Sequence, residues 1–122
     1  MKNSDQEGNN FSFPQKLHKI RYLKHFRKLI KEGKNLKLSF GDITILENET
    51  KVLRIAISIR RKFNKKSTKR NRLKRIISEM LRKEKHNLKG FDIWIQIKKP
   101  TPIEVILDEL KDSINKIKTS YT

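Results

Sequence analysis

The chain has 122 residues, a formal net charge of +18 and no cysteine. This length fits one domain with a real hydrophobic core, and the lack of cysteine excludes a disulfide framework and a thiolate metal site. No apolar run approaches the roughly 20 residues of a membrane span, and no hydrophobic signal segment follows Met1. We therefore expect a cytoplasmic protein whose charge is neutralised by a polyanion, with nucleic acid favoured over an anionic membrane.

The first part of the chain is predicted to be a mobile arm followed by a short amphipathic helix. Residues 1–15 are mostly polar, which is typical of a disordered or partner-ordered arm. From about Arg21 to Glu32, apolar side chains fall on one side and basic side chains mostly on the other. Gly33 stands where a C-terminal helix cap belongs.

A strand region follows, and its alternation of apolar residues changes parity once. Leu38 and Phe40 are apolar at even positions, whereas Ile43 and Ile45 are apolar at odd positions. Either a bulge at residues 41–42 or two short strands joined there would explain the change.

Two later strands alternate cleanly between an apolar face and a polar face. They span Leu53–Ile59 and Phe91–Ile97, and their polar faces carry Arg54, Ser58 and Trp94. If long helices cover the apolar face, Trp94 is either a stacking platform for single-stranded nucleic acid or a secondary core residue under the first helix. The sequence leaves both interpretations open.

The most basic part of the chain lies between these two strands. Residues 60–75 include ten lysines and arginines and no acidic residue, and they run into a helix predicted from about Thr68 to His86. A solvated face is the usual interpretation of one charged helix, but here the loop before the helix is basic as well. We therefore predict a polyanion contact. Its candidate residues are Arg61, Lys62, Lys65, Lys66, Lys69, Arg70, Asn71, Arg72, Lys74 and Arg75.

Residues with the spacing of a catalytic site are not apparent. There is no Ser/His/Asp or Cys/His set and no glycine-rich phosphate loop, and the carboxylates are scattered. His18, His25 and His86 lack the neighbours that a metal site needs. We expect neither a protein-borne active site nor a metal site.

Four motifs resemble the protein subunit of bacterial ribonuclease P. Arg70–Arg75 is similar to the family's Arg-Asn-Arg-Ile/Leu-Lys-Arg run at the start of a basic helix. Phe26–Gly33 resembles its Phe-x-x-x-Phe-x-x-Gly helix, and Arg54–Lys62 resembles its strand ending in Ser-Lys-Lys. Asp92–Pro100 resembles its Asp-Tyr-x-x-x-Ala-Arg-x-Pro strand. The resemblance covers roughly residues 19–118, with the motifs in matching order.

This resemblance implies a fold and a function. The fold would be a single α+β RNA-binding domain over residues 16–122, in the order α-β-β-(β)-α-β-α. Its sheet would be like that of ribosomal protein S5 domain 2, packed by helices and with a left-handed βαβ crossover. The catalytic component would be an RNA subunit that uses Mg²⁺ to remove the 5′ leader of precursor tRNA. The protein would bind that RNA and the precursor tRNA, without a cofactor, a membrane or a required protein partner.

The resemblance also implies a cleft between the first helix and the sheet that holds the single-stranded leader. Phe26 would line this cleft, while Ile30 and Thr44 stand where the family has phenylalanine and tyrosine. With the strand parity, the predicted cleft comprises Phe26, Ile30, Thr44, Arg54, Ser58, Arg60 and Trp94. Two other functions stay open: a ribosomal or other structural RNA-binding protein of similar fold, and a metal-dependent nuclease.

Overall fold

The computed structural model describes residues 18–60 and 67–121. The fold is α+β, as predicted, with one mixed sheet and three helices. The elements are β1 His18–Lys19, α1 Leu23–Glu32, β2 Lys34–Leu38, β3 Gly41–Glu47, β4 Arg54–Ile59, α2 Ser67–Lys83, β5 Phe91–Ile97 and α3 Ile103–Tyr121. α1 begins two residues later than predicted, and α2 ends three residues earlier. The predicted arm at residues 1–15 lies outside the described residues.

The five strands lie in the order β1-β4-β5-β3-β2. β5 pairs in parallel with β4 and antiparallel with β3, so it is the central strand. Because α2 connects β4 to β5, these three elements form a βαβ unit.

The change of parity in the first strand region reflects two strands and not a bulge. β2 and β3 form an antiparallel hairpin in which Leu38 pairs with Gly41. Gly41 is required there, because a Cβ atom at this position would collide with the backbone oxygen of Gln96.

The inner face of the sheet carries the main core, which α2 and α3 cover. Ile43, Ile95, Ile77 and Leu110 are almost completely buried within it. They come from β3, β5, α2 and α3 respectively, so both long helices contribute to one continuous apolar layer.

α1 lies across the other, outer face of the sheet. His25 of α1 approaches Arg54 of β4, and Phe26 contacts Trp94 of β5. At the other end of the helix, a Cβ atom on Gly33 would lie only 2.8 Å from Thr44 Cγ2 on β3. α1 therefore crosses three strands and leaves the rest of the outer face uncovered.

No helix within the described part of the chain combines the length and the apolar character needed to cross a bilayer.

Candidate functional site

The uncovered part of the outer face forms a groove beside α1. Its floor carries Ser58, Trp94 and Gln96, which belong to the neighbouring strands β4 and β5. Leu23 and Ile30 lie three residues before and four residues after Phe26, so the three share one side of α1 and form an apolar wall. We call this surface the outer groove: its wall is Leu23, Phe26 and Ile30, and its floor is Ser58, Trp94 and Gln96.

An aromatic pair occupies the corner between the wall and the floor. The ring centroids of Phe26 and Trp94 are 4.9 Å apart, with 71° between the ring planes, which is an edge-to-face contact. Trp94 Nε1 donates a hydrogen bond of 3.1 Å to Ser58 Oγ. Since Trp94 is half-buried, it packs against α1 and also lies on the groove floor. The contact with Phe26 is what the secondary-core interpretation describes, while stacking of nucleic acid on Trp94 stays a prediction.

The apolar side chains in the wall of the outer groove are largely exposed to solvent. Ile30 is 70% exposed and Leu23 is 62% exposed. Large apolar side chains left exposed beside a cleft are typical of a binding surface, and unpaired nucleic-acid bases stack on accessible aromatic rings. The outer groove is therefore chemically suited to flat, partly apolar groups.

Arg54 is part of an ion pair and is not an isolated cation. Its guanidinium donates two hydrogen bonds to the Asp92 carboxylate, at 2.7 and 2.8 Å. Asn48 Nδ2 donates a further bond of 2.8 Å to Asp92 Oδ1. The side chains of Arg54 and Asp92 are only 18% and 5% exposed. Arg54 therefore lies under α1 in a fixed position, and this pairing could not be predicted because 38 residues separate the partners in the chain.

His25 of α1 lies directly above this ion pair. Its Nδ1 atom is 3.5 Å from Arg54 Nη1. Desolvation and the positive charge of Arg54 lower the pKa of His25, with smaller contributions from Lys24 and Lys28, while the Asp92 carboxylate opposes them. The site thus favours the neutral imidazole.

The remaining predicted cleft residues lie at different depths. Thr44 is buried, and its Oγ1 atom accepts a 3.0 Å hydrogen bond from Asn35 Nδ2. Ser58 and Arg60 are exposed at the open end of the outer groove. The structure thus brings Phe26, Ile30, Ser58 and Trp94 together, places Arg60 nearby and puts Thr44 beneath the surface.

Lys98 is a further cation at this end of the sheet that the predicted site did not include. It follows β5 at the same parity as Trp94 and Gln96, which is the signal that could have identified it. Lys98 Nζ donates a 2.8 Å hydrogen bond to Asp42 Oδ2, and Asp42 is almost completely buried. The carboxylate therefore fixes the ammonium group beside the groove floor.

α2 presents the described part of the basic stretch. Its apolar stripe packs into the core through Ile77 and Leu81. Arg70 is half-buried, and the other described candidates are exposed: Lys69, Asn71, Arg72, Lys74 and Arg75. Arg61, Lys62, Lys65 and Lys66 lie outside the described residues. α2 thus holds a dense positive surface rigidly against the domain.

Within residues 18–60 and 67–121, no group of three His, Asp or Glu side chains is arranged to hold a metal ion. The two most buried carboxylates, Asp42 and Asp92, are each already bound by a cationic side chain.

Comparisons with known proteins agree on one family. The family profile described as Ribonuclease P matches residues 13–120. The ribonuclease P protein component of Dictyoglomus thermophilum is 33% identical over 109 residues, which is 88% of this chain and 89% of that protein. That of Thermotoga maritima is 36% identical over 78 residues, which is 63% of this chain and 66% of that protein.

Solved structures show the same fold. The ribonuclease P protein of Thermotoga maritima superposes with a TM-score of 0.68 at 28% identity, covering 81% of this chain and 96% of that one. The Staphylococcus aureus protein, at 22% identity, gives a TM-score of 0.72 over 88% of this chain and supports the fold alone. The family profile spans almost all of the described residues, including the outer groove and α2. The chain belongs to the ribonuclease P protein family.

Proposed function

We propose that this protein binds the RNA subunit of ribonuclease P through α2 and holds the single-stranded 5′ leader of precursor tRNA in the outer groove. The observation that carries the proposal is the Phe26–Trp94 pair, which lies where the apolar wall of the outer groove meets its floor. A protein that bound only folded duplex RNA would have no need of this surface, because bases in a duplex are already stacked.

The outer groove supplies two kinds of contact to a single strand. Stacking on aromatic side chains contributes about 1–3 kcal/mol per base and tolerates any base sequence. Arg60 lies beside the groove floor, where positive charge favours the phosphates between the bases, whereas the charge of Lys98 is balanced by Asp42. The combination suits leaders of varied sequence.

The surface of α2 supports the proposed binding to the RNA subunit. Its exposed cations match the family's Arg-Asn-Arg motif, and its apolar stripe anchors it in the core. Each phosphate that such a cation contacts releases condensed counterions, which makes binding strong and dependent on salt.

In this proposal the protein positions the substrate, while the RNA subunit and its Mg²⁺ ions supply the chemistry of cleavage. The described side chains contribute stacking surfaces and cations. α2 packs against the inner face of the same sheet whose outer face carries the outer groove, so the sheet fixes the groove relative to α2.

The test is reconstitution with the cognate RNA subunit at low Mg²⁺ concentration. We expect the protein alone not to cleave precursor tRNA, whereas the RNA subunit with the protein should cleave it. Trp94→Ala should weaken binding of precursor tRNA by roughly 5- to 150-fold, the equivalent of one lost stacking contact, and should leave mature tRNA unaffected.

Trp94→Phe is the matched control, because it keeps a ring at this position and loses only the bond to Ser58. Thermal melting of each variant separates lost binding from lost folding. If Trp94→Ala weakened the binding of precursor and mature tRNA equally, the leader would not be bound in the outer groove. A structural RNA-binding protein of the ribosomal kind would give that result, and cleavage by the nuclease-free protein alone would support the metal-dependent nuclease.

A further inference from the structure

A cavity lies between the C-terminal halves of α2 and α3, away from the outer groove. Its volume is about 300 Å³. Met80 and Ile114 form its apolar base, while Lys83 of α2 and Lys111 of α3 stand at its sides. Since α2 and α3 both cover the inner face of the sheet, this cavity and the outer groove are on opposite faces of the domain.

The cavity has an excess of positive charge. Three lysines line it, and the carboxylate of Glu84 is the one acidic group among its lining residues. Lys118 Nζ donates a 2.9 Å hydrogen bond to Glu84 Oε1, so that carboxylate is already engaged. Lys83 and Lys111 are both exposed, and Asn115 adds an amide donor between them.

The charge on α3 is polarised along its length. Glu104 and Asp108 lie on the N-terminal half of the side that carries Lys111 and Lys118, since residues three or four apart share a side of a helix. The side facing α2 therefore changes from acidic to basic at about Lys111. An anion would be repelled from the first half of α3 and attracted to the second.

One side of α2 connects the Arg-Asn-Arg motif to this cavity. Arg72, Ile76, Met80 and Lys83 follow one another at intervals of three or four residues and so share one side of α2. Met80 and Lys83 line the cavity itself. Glu79 lies near this row, but Arg82 binds it through two hydrogen bonds, at 2.6 and 3.1 Å. Arg72 and Lys83 thus place positive charge at the two ends of this row, with the apolar Ile76 and Met80 between them.

We infer that the cavity between α2 and α3 is a second contact for the phosphate backbone of the RNA subunit. This inference rests on the proposed function. The cavity lining on α3 runs from Lys111 to Lys118, about 10 Å along the helix axis, which is the length of about three consecutive phosphates of one strand. The RNA would therefore extend past α2 onto the C-terminal half of α3 and end where Glu104 and Asp108 begin.

Two single variants of α3 test the inference in the full-length protein. Lys111→Gln removes a cation from the cavity, whereas Lys116→Gln removes an exposed cation that is not among its lining residues. The affinity for the RNA subunit is measured across a series of salt concentrations. For a duplex-like site, Lys111→Gln should reduce the slope of log affinity against log salt by about 0.9, which at 0.1 M salt is roughly an eightfold weakening.

Lys116→Gln should bind like the wild type, and Lys111→Arg should restore binding, because it returns the charge. If Lys111→Gln and Lys116→Gln have the same affinity and the same salt slope, the cavity is not a contact. The combined replacement of Arg72 and Arg75 tests the proposed function separately. If the variant lacking Arg72 and Arg75 also bound like the wild type, the proposed binding of the RNA subunit by α2 would be wrong, in addition to the inferred contact on α3.

Proximity is tested by a tethered cleavage reagent, for which the absence of native cysteine is an advantage. Asn115→Cys carries the reagent into the cavity, and Val105→Cys carries it to an exposed position on the N-terminal half of α3. Strand scission of the RNA subunit is expected from position 115 and not from position 105. Scission from position 105 alone, or from neither position, would overturn the inference.

Discussion

The Arg54–Asp92 ion pair lies under α1, where both side chains are largely removed from water. Removing one partner of such a pair leaves a charge that is neither solvated nor neutralised. Asp92→Ala would leave Arg54 in this state and would also remove an acceptor from Asn48. We expect a loss of roughly 3–5 kcal/mol in the free energy of unfolding, measured by urea denaturation.

Glu79→Ala provides the comparison, because it breaks an ion pair of similar length at 2.6 Å to Arg82 on the surface of α2. Water solvates both of these groups, so this variant should unfold almost like the wild type. If the two variants lost equal stability, burial would not be what makes the Arg54–Asp92 pair important.

His25 should make the stability of the domain sensitive to pH. Its pKa is lowered below the ordinary value of 6.5, so the unfolded chain binds a proton more readily than the folded one. The resulting stability is fully present above pH 6.5 and is lost as the pH falls through the folded-state pKa. The melting temperature of the wild type should therefore fall more between pH 7 and pH 5 than that of His25→Gln. His86→Gln, which changes an exposed residue after α2, should follow the wild type.

α1 depends on one close contact with the sheet. Gly33 has an ordinary backbone conformation, with φ at −74°. A Cβ atom there would nevertheless lie 2.5 Å from Leu29 O and 2.8 Å from Thr44 Cγ2. Gly33→Ala should therefore push the end of α1 away from β3, at a cost of about 1–3 kcal/mol. We expect weaker binding of the leader and unchanged binding of the RNA subunit, with the exposed change Lys31→Ala as the control. Loss of both activities would mean that α1 and α2 do not act separately.

The sequence predicted the elements with strong periodicity and missed those that depend on pairing. β4 and β5 were correct because apolar and polar residues alternate along their whole length. β1 was missed because two residues carry no periodic pattern, and it exists through its pairing with β4. The parity of Trp94 correctly placed it beside Ser58. The partner of Arg54 could not be predicted, because it depends on the register between β4 and β5.

At the scale of the whole molecule, the net charge of +18 opposes folding and favours binding. Salt screens the repulsion between exposed cations, with a Debye length of about 10 Å at 0.1 M. The melting temperature should therefore rise as salt is added to the free protein, while the affinity for RNA falls over the same range. Calorimetry and binding measurements in matched buffers test both trends. A melting temperature that falls with salt would mean that attractive ion pairs outweigh the repulsion.

The central position of β5 has a consequence for the order in which the molecule can be made. β3 and β4 are consecutive in the chain, yet β5 lies between them in the sheet. During synthesis, α1, β3, β4 and α2 are therefore made before the strand that joins β3 to β4 exists. Both helices that are proposed to contact RNA, α1 and α2, precede β5 in the chain, so neither can be held in its final place until β5 has been added. The sheet and both proposed RNA-binding surfaces therefore become complete only once β5 has been inserted between β3 and β4.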